Sequence, residues 1–320
     1  MAARVWIGVD IGGTKTAVVL SAKPPAILGR IEFPTLPAKG PERALGLISD
    51  GVRELLRGKH LKIAALKGIG VSCGSPLDRE GGIIQAPPNL PTWIDIPIKA
   101  ILEQQFDTAC RVENDANAGA IAEHRYGAGR GYDHVIFLTM GTGFGAGIII
   151  DGQLYRGTTG SAGEIGHVRL TRSGPAGYHK AGSVEGWVSG GGIAQVARRA
   201  VREARRKRIK TTLAKPIQDG LTARDVALAA AKGDAIAIHV VRSTGERLGA
   251  VLAILVDILN PQRIVIGGLA IRLGEAILAP AREAMRREAL APAAERCEVV
   301  PAALGERISD IASLCVAEGL

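Results

Sequence analysis

The chain has 320 residues, 47% of them hydrophobic and 22% charged, which is globular usage, excludes a disordered chain and suits about two domains. Asp257 interrupts the longest apolar run, over 249–259, short of the ~20 residues of a membrane span, and the start MAARVWIGVD enters a strand without a signal-peptide core. The net charge of +9 raises nucleic acid as a partner, whereas four scattered cysteines (Cys73, Cys110, Cys297, Cys315) exclude a disulfide scaffold and a zinc ribbon and point to a reducing cytoplasm.

In chain order, residues 5–9 and 17–20 read as strands flanking a glycine-rich turn. Ala44, Leu45, Leu47, Ile48, Val52, Leu55 and Leu56 form a helical stripe over 41–56. A short buried strand over 69–72 is followed by helices over 97–106 and 115–126, the second stopping at Gly127. Strands over 134–140 and 146–150 run into an Asp151-Gly152 hairpin turn and a short strand over 153–155. Beyond Ser189-Gly190-Gly191-Gly192 the chain turns helical, with one long helix over 235–259 ending at Asn260-Pro261. A strand over 263–266, a helix over 274–287, a strand over 297–300 and a helix over 308–317 close it. The alternation predicts an α/β fold. The unit strand, glycine turn, strand occurs twice, as VWIGVDIGGTKTAVVL from Val5 and VIFLTMGTGFGAGIII from Val135. Two related halves are expected, with a ligand in the cleft between them.

Neither glycine turn is a standard nucleotide loop. In GVDIGGTKT, Lys15 comes one position too late for a Walker A loop, and β-type residues follow where a helix is required. In GTGFGAG the glycines fall at every second position and run into Ile148-Ile149-Ile150, so the Rossmann fingerprint fails as well. Two hairpins with glycine tips remain, where backbone N–H groups can converge on an anion. Thr14 and Thr142 add hydroxyls and Lys15 a cation. Asp10 would repel a phosphate unless it acts through a divalent metal. Gly267-Gly268, between a strand and a helix, suits a base and ribose.

Asn114 and Asp115 open a helix after a short strand. Both residue types cap helices, and a carboxylate held at a helix start can also take a proton from a hydroxyl. Glu164 and His167 share a glycine-rich loop and could grip adjacent sugar hydroxyls, with Glu185 and the proline-flanked Asn89 as further contacts. The segment 197–210 holds eight basic residues and one acid, hence most of the net charge. It reads as a solvated helix face or a polyanion site, and its lack of aromatics speaks against base stacking.

Together, DIGGTK (10–15), PNLPTW (88–93), ENDANAGA (113–120), GTGFGAG (141–147), GEIGH (163–167) and NPQRIVIGG (260–268) resemble the sugar kinases of the ROK family (repressors, open reading frames, kinases), in that family's order and over nearly the whole chain. The resemblance implies the two-domain actin-like ATPase fold, of hexokinase and ribonuclease H-like type, with an interdomain cleft. The smaller domain would take 1–117 plus the helix at 306–320, the larger 118–305. It implies transfer of the γ-phosphoryl group of ATP, with Mg²⁺, to a hexose hydroxyl, glucose to glucose 6-phosphate first. N-acetylmannosamine, fructose or polyphosphate-using glucose kinases are the alternatives, and a non-catalytic sugar-binding regulator is the other class. Matched residue by residue, Asp115 is the catalytic base. Gly74, Asn89, Asn114, Glu164, His167 and Glu185 hold the sugar. Asp10, Gly12, Gly13, Thr14, Lys15, Thr142 and Gly143 line the phosphate path, and Gly267 and Gly268 lie near the adenosine. A cytoplasmic homodimer without specific nucleic acid or membrane partners is implied too. The family's repressors carry an N-terminal helix-turn-helix, for which a strand starting near Met1 leaves no room.

One departure stands out. Many family members carry a zinc motif of the form CxCGxxGCxE after the GEIGH histidine. Here Ala176, Tyr178 and Ser183 occupy the three cysteine positions, and Glu185 keeps the last. No structural zinc is expected.

Overall fold

The first apolar run forms β1 (Val5–Ile11) in a computed structural model that describes residues 4–214 and 220–319. Its alternate residues Val5, Ile7 and Val9 are fully buried. On one side β1 pairs antiparallel with β2 (Lys15–Ser21), which pairs with β3 (Gly29–Pro34). On the other it pairs in parallel with β4 (Leu66–Cys73). After a small hairpin of β5 (Leu77–Asp78) and β6 (Ile83–Ile84), β7 (Cys110–Asn114) adds in parallel to β4. The sheet order is therefore β3-β2-β1-β4-β7. Helix α1 (Pro41–Arg57) buries Ala44, Ile48, Val52, Leu55 and Leu56 against it. Helices α2 (Ile98–Phe106) and α3 (Asp115–Tyr126) flank β7 in sequence. The C-terminal helix Ile308–Glu318 packs on β1, β4 and α3.

The second sheet repeats this plan. β8 (Val135–Met140) pairs antiparallel with β9 (Phe144–Ile150), and β9 with β10 (Gln153–Tyr155). A two-stranded hairpin follows, β11 (Ala176–Gly177) and β12 (Lys180–Ala181), and then helices α4 (Val184–Val188) and α5 (Gly190–Arg206). β13 (Arg263–Ile266) pairs in parallel with β8 and with β14 (Glu298–Pro301), giving the order β10-β9-β8-β13-β14. The long helix Ala235–Leu259 buries Leu248, Val251, Leu252 and Val256 in this unit's core and ends at Asn260 in the left-handed region.

Contacts divide the chain into one unit of Met1–Gly127, Arg156–Gly160 and Glu306–Leu320 and another of Ala128–Tyr155 and Ser161–Gly305. All of α3 lies in the first unit, because it packs on the C-terminal helix. Several short elements lie outside the expected set, among them the two small hairpins, β3 and the helix Ala223–Ala231. β3 is a half-exposed edge strand whose Arg30 and Glu32 alternate with Ile31 and Phe33, so its apolar signal is diluted. The helix Ala223–Ala231 starts at a Thr222–Asp225 capping box. Among the described residues no helix is long and apolar enough to cross a membrane.

Candidate active site

In the first unit the parallel register brings the carboxyl ends of three strands level. Asp10 lies opposite Ser72, and Cys73 opposite Asn114. Ligands of open α/β sheets collect at such ends. Asn114 is the N-cap of α3: its Oδ1 accepts from Ala116 N–H (2.9 Å) and Asn117 N–H (3.2 Å), and its Nδ2 donates to Ser75 Oγ (2.8 Å). The capping task thus falls to Asn114. Asp115, the first helical residue, is exposed, and its Oδ1 accepts from Ala116 N–H at 2.8 Å.

The hairpin tip that carries Gly12, Gly13, Thr14 and Lys15 is tied down from several sides. Thr35 Oγ1 donates to the Gly12 carbonyl (2.7 Å) and Thr35 N–H to that of Thr14 (3.1 Å). Gly13 packs against Asn89, so closely that a Cβ there would lie 2.7 Å from Asn89 Cβ and from its carbonyl oxygen. Gly74 faces the same asparagine: a Cβ there would lie 3.5 Å from Asn89 Oδ1. Lys15 donates to Glu32 (2.8 Å), which also binds Arg30.

Asp10 is partly buried among like charges. Burial first, then Asp115 and Asp310, push its carboxyl up to about 7, against Ser309 and Lys15. Asp310, from the C-terminal helix, is held by Arg30 Nε at 2.8 Å. Burial and the neighbouring carboxylates of Asp115 and Asp310 both disfavour a lone negative charge on Asp10, which a divalent cation held through water would relieve, so Asp10 fits the Mg²⁺ that the resemblance implies.

A further carboxylate escaped the sequence reading. Glu113 is buried, accepts from Arg79 Nε (3.1 Å) and Arg156 Nε (3.0 Å), and also receives Asn117 Nδ2 (3.1 Å) and Asn114 N–H (3.1 Å). It fixes the end of β7 one residue before Asn114. No local pattern distinguishes it from a solvated glutamate, because both arginines come from distant loops.

In the second unit Thr142 and Gly143 form the β8–β9 tip, and Gly267 and Gly268 follow β13, beside the end of β8. Glu185, in α4, reaches back to that tip, its Oε2 accepting from Phe144 N–H at 3.2 Å. The loop with Glu164 and His167 lies along β9, where Ala146 N–H donates to the Gly163 carbonyl (2.8 Å). Gly163 has φ +91°, and a Cβ would run into the Ala146 carbonyl, so glycine alone fits. Glu164 Oε2 lies 3.7 Å from His167 Nε2. Ser189, Gly190 and Gly191 also belong here. Ser189 caps the 17-residue α5, and Gly190 N–H donates to the Gly141 carbonyl (2.8 Å), which sets a helix N-terminus beside the glycine tip. The triple glycine was the sequence signal for this.

A zinc ion does not fit the hairpin after His167. Ala176, Tyr178 and Ser183 offer no thiolate, and the four cysteines are buried on other elements. Among the described residues no three His, Cys, Asp or Glu side chains are placed to share a metal. The basic segment is the second half of α5 and its continuation. Arg198 and Arg205 donate to the carbonyls of Leu221 and Ala214, while Arg199, Arg202, Arg206 and Lys207 help line a hollow of about 840 Å³.

The model of the ROK family matches residues 6–315. A glucokinase of Halalkalibacterium halodurans is 34% identical over 307 residues, 95% of this chain and 92% of the relative. One of Thermotoga maritima is 33% identical over 278 residues, 87% of this chain and 86% of the relative. The crystal structure of a ROK family glucokinase from Streptomyces griseus in complex with glucose and AMPPNP superposes with a TM-score of 0.81 at 30% identity, covering 98% of this chain and 99% of that one.

Proposed function

The chain belongs to the ROK family, and on that footing we propose that it transfers the γ-phosphoryl group of ATP to a hexose hydroxyl, with glucose as the first acceptor and glucose 6-phosphate as product. Its fold is the actin-like ATPase fold of the ROK sugar kinases. The observation that carries the reading is the division of labour at the start of α3: Asn114 caps the helix and leaves Asp115 exposed to a substrate.

Asp115 accepts the proton of the attacking hydroxyl as that oxygen bonds to the γ-phosphorus and the bridge to the β-phosphate breaks, leaving ADP. Gly74, Asn89, Asn114, Glu164, His167 and Glu185 are the residues proposed to hold the sugar hydroxyls. The N–H groups and hydroxyls at Gly12, Gly13, Thr14, Thr142 and Gly143 bind the phosphates, joined by the start of α5. Lys15 adds positive charge, and Gly267 and Gly268 take the nucleoside. Asp10 would hold Mg²⁺ through water, and the ion would supply charge that neutralises the phosphates. Four free, buried thiols suit the cytoplasm, and a homodimer is the expected assembly.

A coupled assay of ADP release with glucose, mannose, fructose, allose and N-acetylated hexosamines tests the proposal. Turnover with glucose above the other sugars is expected. Sugar binding without ADP from any of them would instead favour the other class, a non-catalytic sugar-binding regulator.

A further inference from the structure

The hairpin that follows His167 keeps the outline of a metal-binding knuckle but is held by other means, position by position. Ala176 is clasped through its backbone: Gln195 Oε1 accepts from its N–H (3.0 Å), and Gln195 Nε2 donates to its carbonyl (2.8 Å). Ser183 is fully buried. Its Oγ accepts from Gly177 N–H (3.2 Å) and Gly186 N–H (3.1 Å) and donates to the Gly177 carbonyl (3.2 Å), so it joins β11 to the start of α4. Tyr178 sets its ring edge-on to the His167 imidazole, with centroids 4.3 Å apart. Lys180 Nζ donates to the His167 carbonyl (2.7 Å).

The turn itself carries the mark of an over-determined structure. β11 pairs with β12 as Ala176 with Ala181 and Gly177 with Lys180, so Tyr178 and His179 form a two-residue turn. Both are left-handed, at φ 48° and 60°, where side chains are disfavoured and glycine or asparagine is the usual choice. Residues stay in that region when their surroundings leave no alternative. Here the surroundings are the bonds of Gln195, Ser183 and Lys180 and the ring contact to His167.

We propose that this set of contacts does without metal what a zinc ion does in relatives with the cysteine motif: Tyr178 is a positioning residue that fixes the His167 imidazole, and Ser183 one that fixes the loop to α4 and hence Glu185. The inference rests on the reading of His167 and Glu185 as sugar-binding residues. Nothing in it is a catalytic step. Its consequence is an enzyme whose affinity for sugar is indifferent to zinc and to chelators, and depends instead on one aromatic ring and one hydroxyl.

The test uses the full-length protein and four variants, His167→Ala, Tyr178→Ala, Tyr178→Phe and Ser183→Ala, each measured for KM toward glucose and ATP, kcat, Tm and zinc content. Tyr178→Ala is expected to raise the KM for glucose about tenfold, with the KM for ATP and the Tm nearly unchanged, while Tyr178→Phe keeps the wild-type value because the ring remains. Ser183→Ala should raise the glucose KM and lower the Tm together. Dialysis against a chelator should change neither quantity in the wild type. A Tyr178→Ala variant with normal glucose KM, beside a His167→Ala variant with a raised one, overturns the positioning role and leaves the sugar reading standing. A normal glucose KM in His167→Ala brings down the sugar reading and this inference with it. One zinc per wild-type chain, lost together with sugar affinity on chelation, also overturns it.

Discussion

The two five-stranded sheets share one plan, a pair of antiparallel strands at one edge and two parallel strands at the other, yet different groups gather beside their glycine tips. The first ends in carboxylates, with Asp10 and Asp115 near each other and Asp310 brought up by the C-terminal helix. The second ends in donors, with Thr142, Gly143 and the start of α5. What differs is the element that follows the strands. In the first unit β7 runs directly into α3 and presents Asn114 and Asp115. In the second, β9 is followed by α4 and α5, and Glu185 and Gly190 brace the tip. A duplicated sheet is thus a scaffold whose chemistry is set by the turns attached to it.

Exchanging carboxylate for amide in the first unit should separate base from cap most sharply. Asp115→Asn is expected to lower kcat by at least ~10²-fold, the lower end of a general-base contribution, with little change in Tm, because the cap is Asn114. Asn114→Ala should do the reverse in stability, losing about 1 kcal/mol as two N–H groups lose their acceptor. Thermal melts beside steady-state kinetics decide it. An Asp115→Asn enzyme with more than about a tenth of wild-type kcat would remove the base assignment.

Adding one methyl group to each tip compares their tolerance. In Gly13→Ala the new Cβ meets Asn89 Cβ and backbone oxygen at 2.7 Å, which cannot swing aside. Overpacking of this kind costs about 1–3 kcal/mol, and kcat/KM for glucose should fall roughly tenfold or more. In Gly143→Ala the neighbour at 2.9 Å is the far end of the Glu185 carboxylate. That group can rotate, so the loss should be severalfold at most. Equal losses would show that the second tip is as rigid as the first.

The raised Asp10 carboxyl makes a pH prediction specific to the first unit. The folded protein keeps that proton up to about pH 7, whereas the unfolded chain releases it near the ordinary aspartate value of 3.8. Between these the folded state binds more protons, so this group makes stability fall as pH rises from about 4 to 7. Asp10→Asn should match the wild type in Tm at pH 4 and exceed it by a few degrees at pH 8. Mg²⁺ should raise the Tm of the wild type at pH 8 and leave that of Asp10→Asn unchanged. Melts across this range, with and without Mg²⁺, check both expectations.

The smallest effect concerns the basic half of α5. Replacing Arg199, Arg202 and Arg206 by glutamine removes three charges that line the surface hollow but makes no change at the glycine tip. The ATP reaction should stay within about twofold, since exposed charges interact weakly at physiological salt. Glucose phosphorylation with polyphosphate at low salt, lost in this variant and weakened by added salt, would give the stripe a function. No reaction with polyphosphate would leave it as a solvated face.

Much of this protein is legible one segment at a time. The strand–glycine–strand units announce themselves through short-range patterns of apolar residues and glycine, and the helix 235–259 through its length and its Asn260-Pro261 stop. Asn114 and Asp115 stand out because helix starts have a local chemistry. β3 escaped because an edge strand with alternating Arg30 and Glu32 has half the usual apolar signal. What tertiary structure alone decided is which polar groups meet. Glu113 became the partner of Arg79 and Arg156, Asp10 was raised by Asp115 and Asp310, and Tyr178 came to rest on His167. Hydrophobic periodicity is a property of neighbours along the chain, but a pKa shift or a ring contact depends on distances between residues far apart in it. Those distances exist only once the sheets have closed their register.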